Sequence, residues 1–152
     1  MGKVNSDQEI LEFAISREVE AYHFYKALAE RVESLRMRKV FEELAEEELE
    51  HKEKLELEIL KTGKTVQDKQ IPPGRPTNDY VISDSELPLD FDYKDMLLLA
   101  MEKEEAAFRM FVNLVPSVQD EESREILLAL AQQEVQHKIR FEAEYDMLYG
   151  KK

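Results

Sequence analysis

The sequence repeats itself at an offset of 86 residues, and this internal repeat restricts the possible folds more than any other feature. No gap is needed between the first match and the last. The matching residues are Ala14, Glu18, Ala21, Tyr25, Leu28, Leu44, Ala45, Glu48, His51 and Lys52 in the first half, and Ala100, Glu104, Ala107, Phe111, Leu114, Leu130, Ala131, Glu134, His137 and Lys138 in the second. Glu, Leu, Lys and Ala recur throughout, which favours helices. The repeat therefore predicts a duplicated helical hairpin.

Start and stop signals divide each half into two helices. Ser6-x-x-Glu9 matches a capping box, and Gly63 stands where glycine commonly follows the end of a helix. The four predicted helices run from Ser6 to about Ser34, from Leu35 to Lys61, from near Asp92 to Pro116, and from about Asp120 to Tyr149.

Residues 62–91 interrupt the helical pattern between the second and third helices. A continuous helix is excluded here by five residues, namely Pro72, Pro73, Gly74, Pro76 and Pro88. One connection of about 30 residues between two short ones is typical of a four-helix bundle with a long crossover. We therefore expect an all-α protein in which residues 1–152 form a single domain and residues 62–91 form the crossover.

The composition excludes several classes of function. A net charge of −13 argues against nucleic-acid binding, which needs Lys and Arg to displace counterions from phosphates. The absence of cysteine excludes disulfides, zinc fingers, iron–sulfur clusters and a cysteine nucleophile. No apolar run approaches the length that spans a bilayer, and the N-terminal residues have no signal-peptide core. We therefore expect a soluble, cytoplasmic protein that binds neither nucleic acid nor membrane.

Each predicted helix places one glutamate in its apolar stripe. Positions that alternate by three and four residues face the core of a bundle. The four stripes are Leu11, Ala14, Glu18, Ala21, Tyr25, Leu28 and Val32; Phe41, Leu44, Glu48, His51 and Leu55; Leu97, Ala100, Glu104, Ala107, Phe111 and Leu114; and Leu127, Leu130, Glu134, His137, Phe141 and Leu148. The second and fourth stripes add a histidine one turn after the glutamate. Four carboxyl groups and two imidazoles are therefore expected to meet inside the bundle.

The spacing Glu-x-x-His is weak evidence by itself, because this acidic chain contains it three times. Glu20 also precedes His23 by three residues. These two residues lie on the side of the first helix opposite its stripe, so we expect both to be solvated.

Four buried carboxylates need a source of positive charge. Each buried ion costs several kcal/mol, and no Lys or Arg lies on the stripes. Two divalent cations would balance four carboxylates and accept two neutral imidazoles, which predicts a dinuclear site suited to iron or manganese. Two alternatives remain: a hydrogen-bonded network of protonated Glu and His, and a helical interaction module whose buried charges specify pairing.

The sequence resembles the ferritin-like di-iron superfamily, and within it most of all the rubrerythrin-related proteins. The resemblance covers about Asp7 to Leu148. Its motifs are Glu18-x-x-Ala21-x-x-x-Tyr25, Glu48-x-x-His51, Glu104-x-x-Ala107 and Glu134-x-x-His137. The resemblance implies two iron ions per chain, with manganese possible, bridged by Glu48 and Glu134. It also implies terminal carboxylates from Glu18 and Glu104, with His51 and His137 completing the two ligand sets.

This resemblance implies an oxidoreductase that reduces hydrogen peroxide or dioxygen at a di-iron site. Tyr25 is the candidate catalytic residue, since it could hydrogen-bond a ligand or supply an electron; it could equally serve as a core aromatic residue. The alternative is a ferroxidase that handles iron. The long crossover favours a homodimer over a hollow storage shell.

Three features of the sequence depart from the family patterns. A chain without cysteine has no rubredoxin domain, so electrons would come from a separate donor protein. Ala107 stands where rubrerythrins carry an additional glutamate, which makes the ferroxidase alternative competitive. Leu49 stands where bacterioferritins carry a haem-ligating methionine, so no haem is expected.

Overall fold

The computed structural model describes residues 6–61 and 91–150. These residues form four α-helices and no strand: α1 (Asp7–Arg31), α2 (Leu35–Lys61), α3 (Tyr93–Leu114) and α4 (Glu121–Tyr149), with a short 3-10 helix at Val115–Ser117. The all-α prediction and the four-helix bundle are thus confirmed. Gly63 and residues 62–90 of the predicted crossover lie outside the described residues.

Side-chain caps fix where three of the helices begin. The backbone N–H of Glu9 donates to Oγ of Ser6 at 3.1 Å, and the N–H of Ser6 donates to the Glu9 carboxylate at 3.2 Å, so the predicted capping box is present. Asp92 and Asp95 form the same arrangement at the start of α3. At the start of α4, Asp120 accepts a hydrogen bond from the backbone N–H of Ser123 at 2.9 Å.

The helices pack as two hairpins. The most extensive contacts between helices join α1 to α2 and α3 to α4, as a duplicated hairpin requires. One apolar cluster contains residues from the C-terminal half of α1 and from the N-terminal ends of α2 and α3. Because the beginnings of α2 and α3 lie at the same end of the bundle, these two helices run parallel. The end of α2 and the beginning of α3 therefore lie at opposite ends of the bundle.

Two apolar clusters fill the ends of the bundle, with a layer of titratable side chains between them. The cluster at one end includes Phe24, Phe41 and Phe141. The cluster at the other end includes Leu55 and Phe111. On every helix the buried glutamate of the stripe lies between the residues given to these two clusters. The core is therefore continuous along the bundle except at its polar middle.

One predicted helix boundary and one residue of a predicted apolar stripe were wrong. Helix α1 ends at Arg31 instead of Ser34, because Val32 has extended backbone angles (φ −85°, ψ 152°). Leu148 was predicted to be in the core but is 40% exposed. Helix α4 continues for two turns beyond Phe141, the last residue that it buries.

Candidate metal centre

The four glutamates of the stripes meet in the middle of the bundle, one from each helix. Each of them is at most 2% exposed; they are Glu18, Glu48, Glu104 and Glu134. One turn further along α2 and α4, the two histidines of the Glu-x-x-His motifs are also buried. The structure thus brings together all six residues that the sequence predicted as metal ligands.

These six residues form two overlapping sets. In each set, one ligand atom from every residue lies within 4.8 Å of the others. The first set is Glu18, Glu48, His51 and Glu134, and the second is Glu48, Glu104, Glu134 and His137. We call these sets the His51 subsite and the His137 subsite. Glu48 and Glu134 belong to both sets, so their carboxylates could be shared if each set held an ion.

The spacing around each imidazole is that of ligand atoms around a metal. Nδ1 of His51 lies 3.5 Å from Glu18, 3.2 Å from Glu48 and 3.4 Å from Glu134. Nδ1 of His137 lies 3.6 Å from Glu48, 3.4 Å from Glu104 and 3.3 Å from Glu134. Metal–ligand bonds of about 2.1 Å put neighbouring ligand atoms about 3.0 to 3.4 Å apart. The donor set therefore fits an ion in each subsite.

Unsatisfied polar atoms are concentrated at this centre. Seven buried atoms of its side chains have no hydrogen-bond partner among residues 6–61 and 91–150: Glu18 Oε1 and Oε2, Glu48 Oε1, His51 Nδ1, Glu104 Oε1, Glu134 Oε1 and His137 Nδ1. Leaving a buried polar atom without a partner costs about 1 to 3 kcal/mol, and more when the group is charged. Cations coordinated by these atoms would remove that cost, so the buried cluster could hold metal.

Burial and mutual repulsion act most strongly on the two unshared glutamates. Burial, followed by repulsion from Glu48 and Glu134, raises the pKa of Glu18 well above its usual value. Burial and then repulsion from Glu134 raise the pKa of Glu104 in the same way. In the protein alone these two carboxyl groups therefore retain protons to higher pH than exposed glutamates do.

The pKa values of the two shared glutamates are lowered, whereas those of the two histidines are raised. Burial opposes ionisation of Glu48 and Glu134, but their close polar contacts with the surrounding carboxyl groups and imidazoles outweigh it and lower both pKa values. Burial likewise opposes protonation of His51 and His137, but the carboxylates around them raise both pKa values. A bound cation would replace these protons as the source of positive charge.

The outer nitrogen of each histidine contacts a side chain from the other hairpin. Nε2 of His51 lies 3.4 Å from the amide oxygen of Gln133. Nε2 of His137 donates to the carboxylate of Glu47 at 2.5 Å. When a cation displaces the proton of Nδ1, such contacts would hold the remaining proton on Nε2 and leave the lone pair of Nδ1 facing the centre. Neither Glu47 nor Gln133 was among the predicted site residues, although each lies four residues before a histidine and the two are 86 positions apart.

Tyr25 contacts only one of the unshared glutamates. Its hydroxyl donates a hydrogen bond to Glu104 Oε2 inside the bundle. Burial, and then the charge of Glu104, raise the pKa of Tyr25 well above its usual value, so the hydroxyl keeps its proton. The repeat places Phe111 at the equivalent position of α3. The hydroxyl of Tyr25 therefore contacts the His137 subsite, and Phe111 offers no equivalent hydroxyl to the His51 subsite.

A small cavity lies against the centre between α1 and α3. Its volume is about 10 Å³ for the centre of a water-sized molecule, which is room for roughly one such molecule. Its lining consists of six pairs that the repeat relates: Arg17 and Lys103, Glu18 and Glu104, Ala21 and Ala107, Phe24 and Met110, Tyr25 and Phe111, and Glu48 and Glu134. The cavity thus sits on the approximate twofold axis that relates the hairpins.

The prediction for the third Glu-x-x-His motif was half wrong. His23 is exposed, as expected, but Glu20 is only 2% exposed. A guanidinium nitrogen of Arg17 lies 2.8 Å from the Glu20 carboxylate and balances its charge. Neither residue belongs to the two subsites.

A third acidic group, outside the centre, contains Glu58, Asp120 and Glu122. Nζ of Lys61 lies 3.5 Å from both Glu58 and Glu122. The hydroxyl of Ser123 donates to Glu58 at 3.1 Å. The lysine supplies the positive charge here, so this group differs from the buried centre.

Fold and site together define a class of protein. A bundle with a long crossover, in which two helices each contribute a Glu and the other two each contribute a Glu-x-x-His, is the arrangement of the ferritin-like superfamily. The family model described as Rubrerythrin matches residues 9–145, so the chain belongs to the rubrerythrin family. The resemblance inferred from the motifs is confirmed.

The fold is also found among solved structures. A hypothetical protein from Pyrococcus furiosus is 29% identical, with a TM-score of 0.68 over 94% of this chain and 90% of that chain. No curated protein gave a significant match. Within the described residues, none of the helices has both the length and the apolar character needed to cross a membrane.

Proposed function

We propose that this protein is a di-iron oxidoreductase that reduces hydrogen peroxide or dioxygen. The observation that carries the proposal is the pair of overlapping ligand sets that share Glu48 and Glu134. Each subsite would hold one iron ion, giving two per chain. Manganese suits the same oxygen and nitrogen donors and is the alternative metal.

The bound pair of ferrous ions would supply two electrons, so that one hydrogen peroxide with two protons becomes two waters. The chain itself would exclude bulk water from this reaction, since all six ligand residues are buried. The hydroxyl of Tyr25 stands beside the cavity, and its proton, which Glu104 accepts in the structure, could instead form a hydrogen bond to a molecule there. Tyr25 is therefore our candidate for the catalytic residue.

The cavity supports a small substrate. It has room for roughly one water-sized molecule, which suits peroxide or dioxygen and not a larger organic compound. The small side chains of Ala21 and Ala107 keep this space open beside the unshared glutamates.

Ferroxidase activity is the second candidate. It is favoured by Ala107, which lines the cavity and supplies no further carboxylate to the centre. A ferroxidase that stores iron would elute as a large shell retaining many iron atoms per chain. The oxidoreductase we propose would be a homodimer with two iron ions per chain, reduced by a separate electron donor protein because the chain contains no cysteine.

Anaerobic titration tests the proposed activity. Protein loaded with ferrous iron should be oxidised by one equivalent of hydrogen peroxide per pair of ions, much faster than free ferrous iron at the same pH. Glu134→Gln should lose this rate, because it removes a shared carboxylate. Glu125→Gln changes the same charge on the exposed face of α4 and should keep it. A rate equal to that of free ferrous iron in the unmodified protein would overturn the proposal.

A further inference from the structure

The duplication brings equivalent positions to the two histidines but fills them with different side chains. Glu47 on α2 contacts His137 on α4, and Gln133 on α4 contacts His51 on α2. Glu47 and Gln133 are 86 positions apart, the offset of the repeat. The two imidazoles they contact are parallel, with 5.7 Å between ring centroids and 2° between planes. The two subsites therefore have equivalent ligands, but the side chains that contact the outer nitrogens of their histidines differ.

We propose that Glu47 and Gln133 make the two metal subsites unequal, so that the His137 subsite binds the first divalent cation. The inference rests on the metal centre of the proposed function and adds an order of occupation to it. Glu47 and Gln133 act here as positioning residues, since each reaches the centre only through a histidine.

The chemical difference lies in the acceptor. A carboxylate that accepts a hydrogen bond from an imidazole N–H strengthens the other ring nitrogen as a donor to a metal. Hydrogen bonds to a charged acceptor are shorter and about twice as strong as bonds between neutral groups. The contact of His137 with Glu47 is 2.5 Å, against 3.4 Å for the contact of His51 with the neutral amide of Gln133. Nδ1 of His137 is therefore the stronger donor.

The net charge acts in the same direction. Glu47 adds a negative charge next to the His137 subsite, whereas Gln133 adds none to the His51 subsite. The Glu47 side chain is 40% exposed, so water screens its direct attraction for a cation. The hydrogen bond through the imidazole is not subject to that screening, because His137 is buried.

Tyr25 opposes this effect to a smaller extent. Its hydroxyl donates to Glu104, the unshared glutamate of the His137 subsite, and so draws electron density from that ligand. The hydroxyl is neutral and leaves the net charge of the subsite unchanged. The hydrogen bond from His137 to the charged carboxylate of Glu47 therefore decides which subsite is stronger.

Manganese binding to the anaerobic protein tests the order of occupation without any turnover. Crystals soaked with less than one equivalent of Mn²⁺ should show more anomalous scattering at the His137 subsite than at the His51 subsite. In solution, competition with a coloured chelator should resolve two affinities. Glu47→Gln should weaken the tighter one about 10- to 100-fold, the usual effect of losing a group that orients a ligand.

An exchange of the two side chains gives the decisive variant. The double variant Glu47→Gln/Gln133→Glu keeps the net charge and should direct the first Mn²⁺ to the His51 subsite. Glu46→Gln and Gln132→Glu make the same chemical changes at exposed neighbours and should leave the preference unchanged. A first ion at the His51 subsite of the unmodified protein, or a preference that the exchange does not move, would overturn the proposal.

The outcomes separate this inference from the proposed function. If no Mn²⁺ binds at the centre, both fail together. If two Mn²⁺ ions bind in the expected order while peroxide reduction fails, the inequality of the subsites stands and only the proposed activity is lost.

Discussion

Single residues decide whether this core is stable, because polar atoms occupy its middle. Glu18, Glu48, Glu104 and Glu134 could be recognised from the sequence, since each is the only glutamate in an apolar stripe and the repeat relates them in pairs. The burial of Glu20 could not, because Glu20 lies off the apolar stripe of α1, and its ion pair with Arg17 is visible only in the structure. Glu47 and Gln133 were missed because their positions on isolated helices look solvent-facing.

Tyr25→Phe tests the role of the buried hydroxyl. The change removes the hydrogen bond to Glu104, so we expect the rate of peroxide reduction to fall about 10- to 100-fold while two metal ions are still bound. Stopped-flow spectroscopy of the ferrous protein measures the rate. Tyr93→Phe removes a hydroxyl that donates to Glu144 at 2.7 Å, away from the centre, and should keep it. Equal rates for both variants would assign Tyr25 to packing alone.

The pH dependence of stability tests the shifted pKa values. Because the pKa values of Glu18 and Glu104 are raised, the folded protein without metal holds more protons than the unfolded chain above about pH 4.5. The raised pKa values of His51 and His137 add further protons to the folded state above about pH 6.5. The free energy of unfolding should therefore decrease as pH rises from 5 to 9. The lowered pKa values of the shared glutamates act oppositely, below about pH 4.5.

Denaturant unfolding in the presence of a chelator measures this slope. The double variant Glu18→Gln/Glu104→Gln should flatten it, because the two carboxyl groups that gain protons on folding are gone. Glu46→Gln/Glu125→Gln removes two exposed charges and serves as the control. With Mn²⁺ present, metal should compete with protons and the stabilisation by metal should grow with pH. An identical slope in both double variants would refute the assignment.

At the scale of the helices, local signals defined most boundaries. The bounds of α2 matched the prediction, and the capping box of α1 formed as expected. The end of α1 was misjudged because the break in the chain comes at Val32, where no glycine or proline marks it. Leu148 was misjudged because the stripe of α4 continues after the last buried position of that helix. Periodicity describes one helix, whereas burial depends on its neighbours.

Asp120→Ala tests the contribution of the cap of α4. Its carboxylate accepts a hydrogen bond from the backbone N–H of Ser123 at 2.9 Å. Loss of such a cap should lower the free energy of unfolding by about 1 kcal/mol, with a range of about 0.5 to 2. Glu125→Ala, at an exposed position inside the same helix, should change it far less. Equal losses in chemical denaturation would contradict the role of the cap.

At the scale of the whole molecule, the duplicated hairpin explains both the fold and the site. Each hairpin alone presents two glutamates and one histidine, which is half of the ligand set. Packing the hairpins about an approximate twofold axis completes two subsites, buries them between two apolar clusters and leaves a small cavity on the axis. The parallel arrangement of α2 and α3 requires the long connection that the prolines of residues 62–91 indicated.

Anomalous diffraction at the iron edge, from anaerobic crystals soaked in ferrous salt, tests the dinuclear centre most directly. We expect two peaks inside the bundle, both in contact with Glu48 and Glu134, one beside Nδ1 of His51 and the other beside Nδ1 of His137. The contrary result is a bundle interior without iron, or glutamate side chains turned outward to solvent. Either observation would mean that something other than a pair of cations stabilises this buried cluster of carboxyl groups.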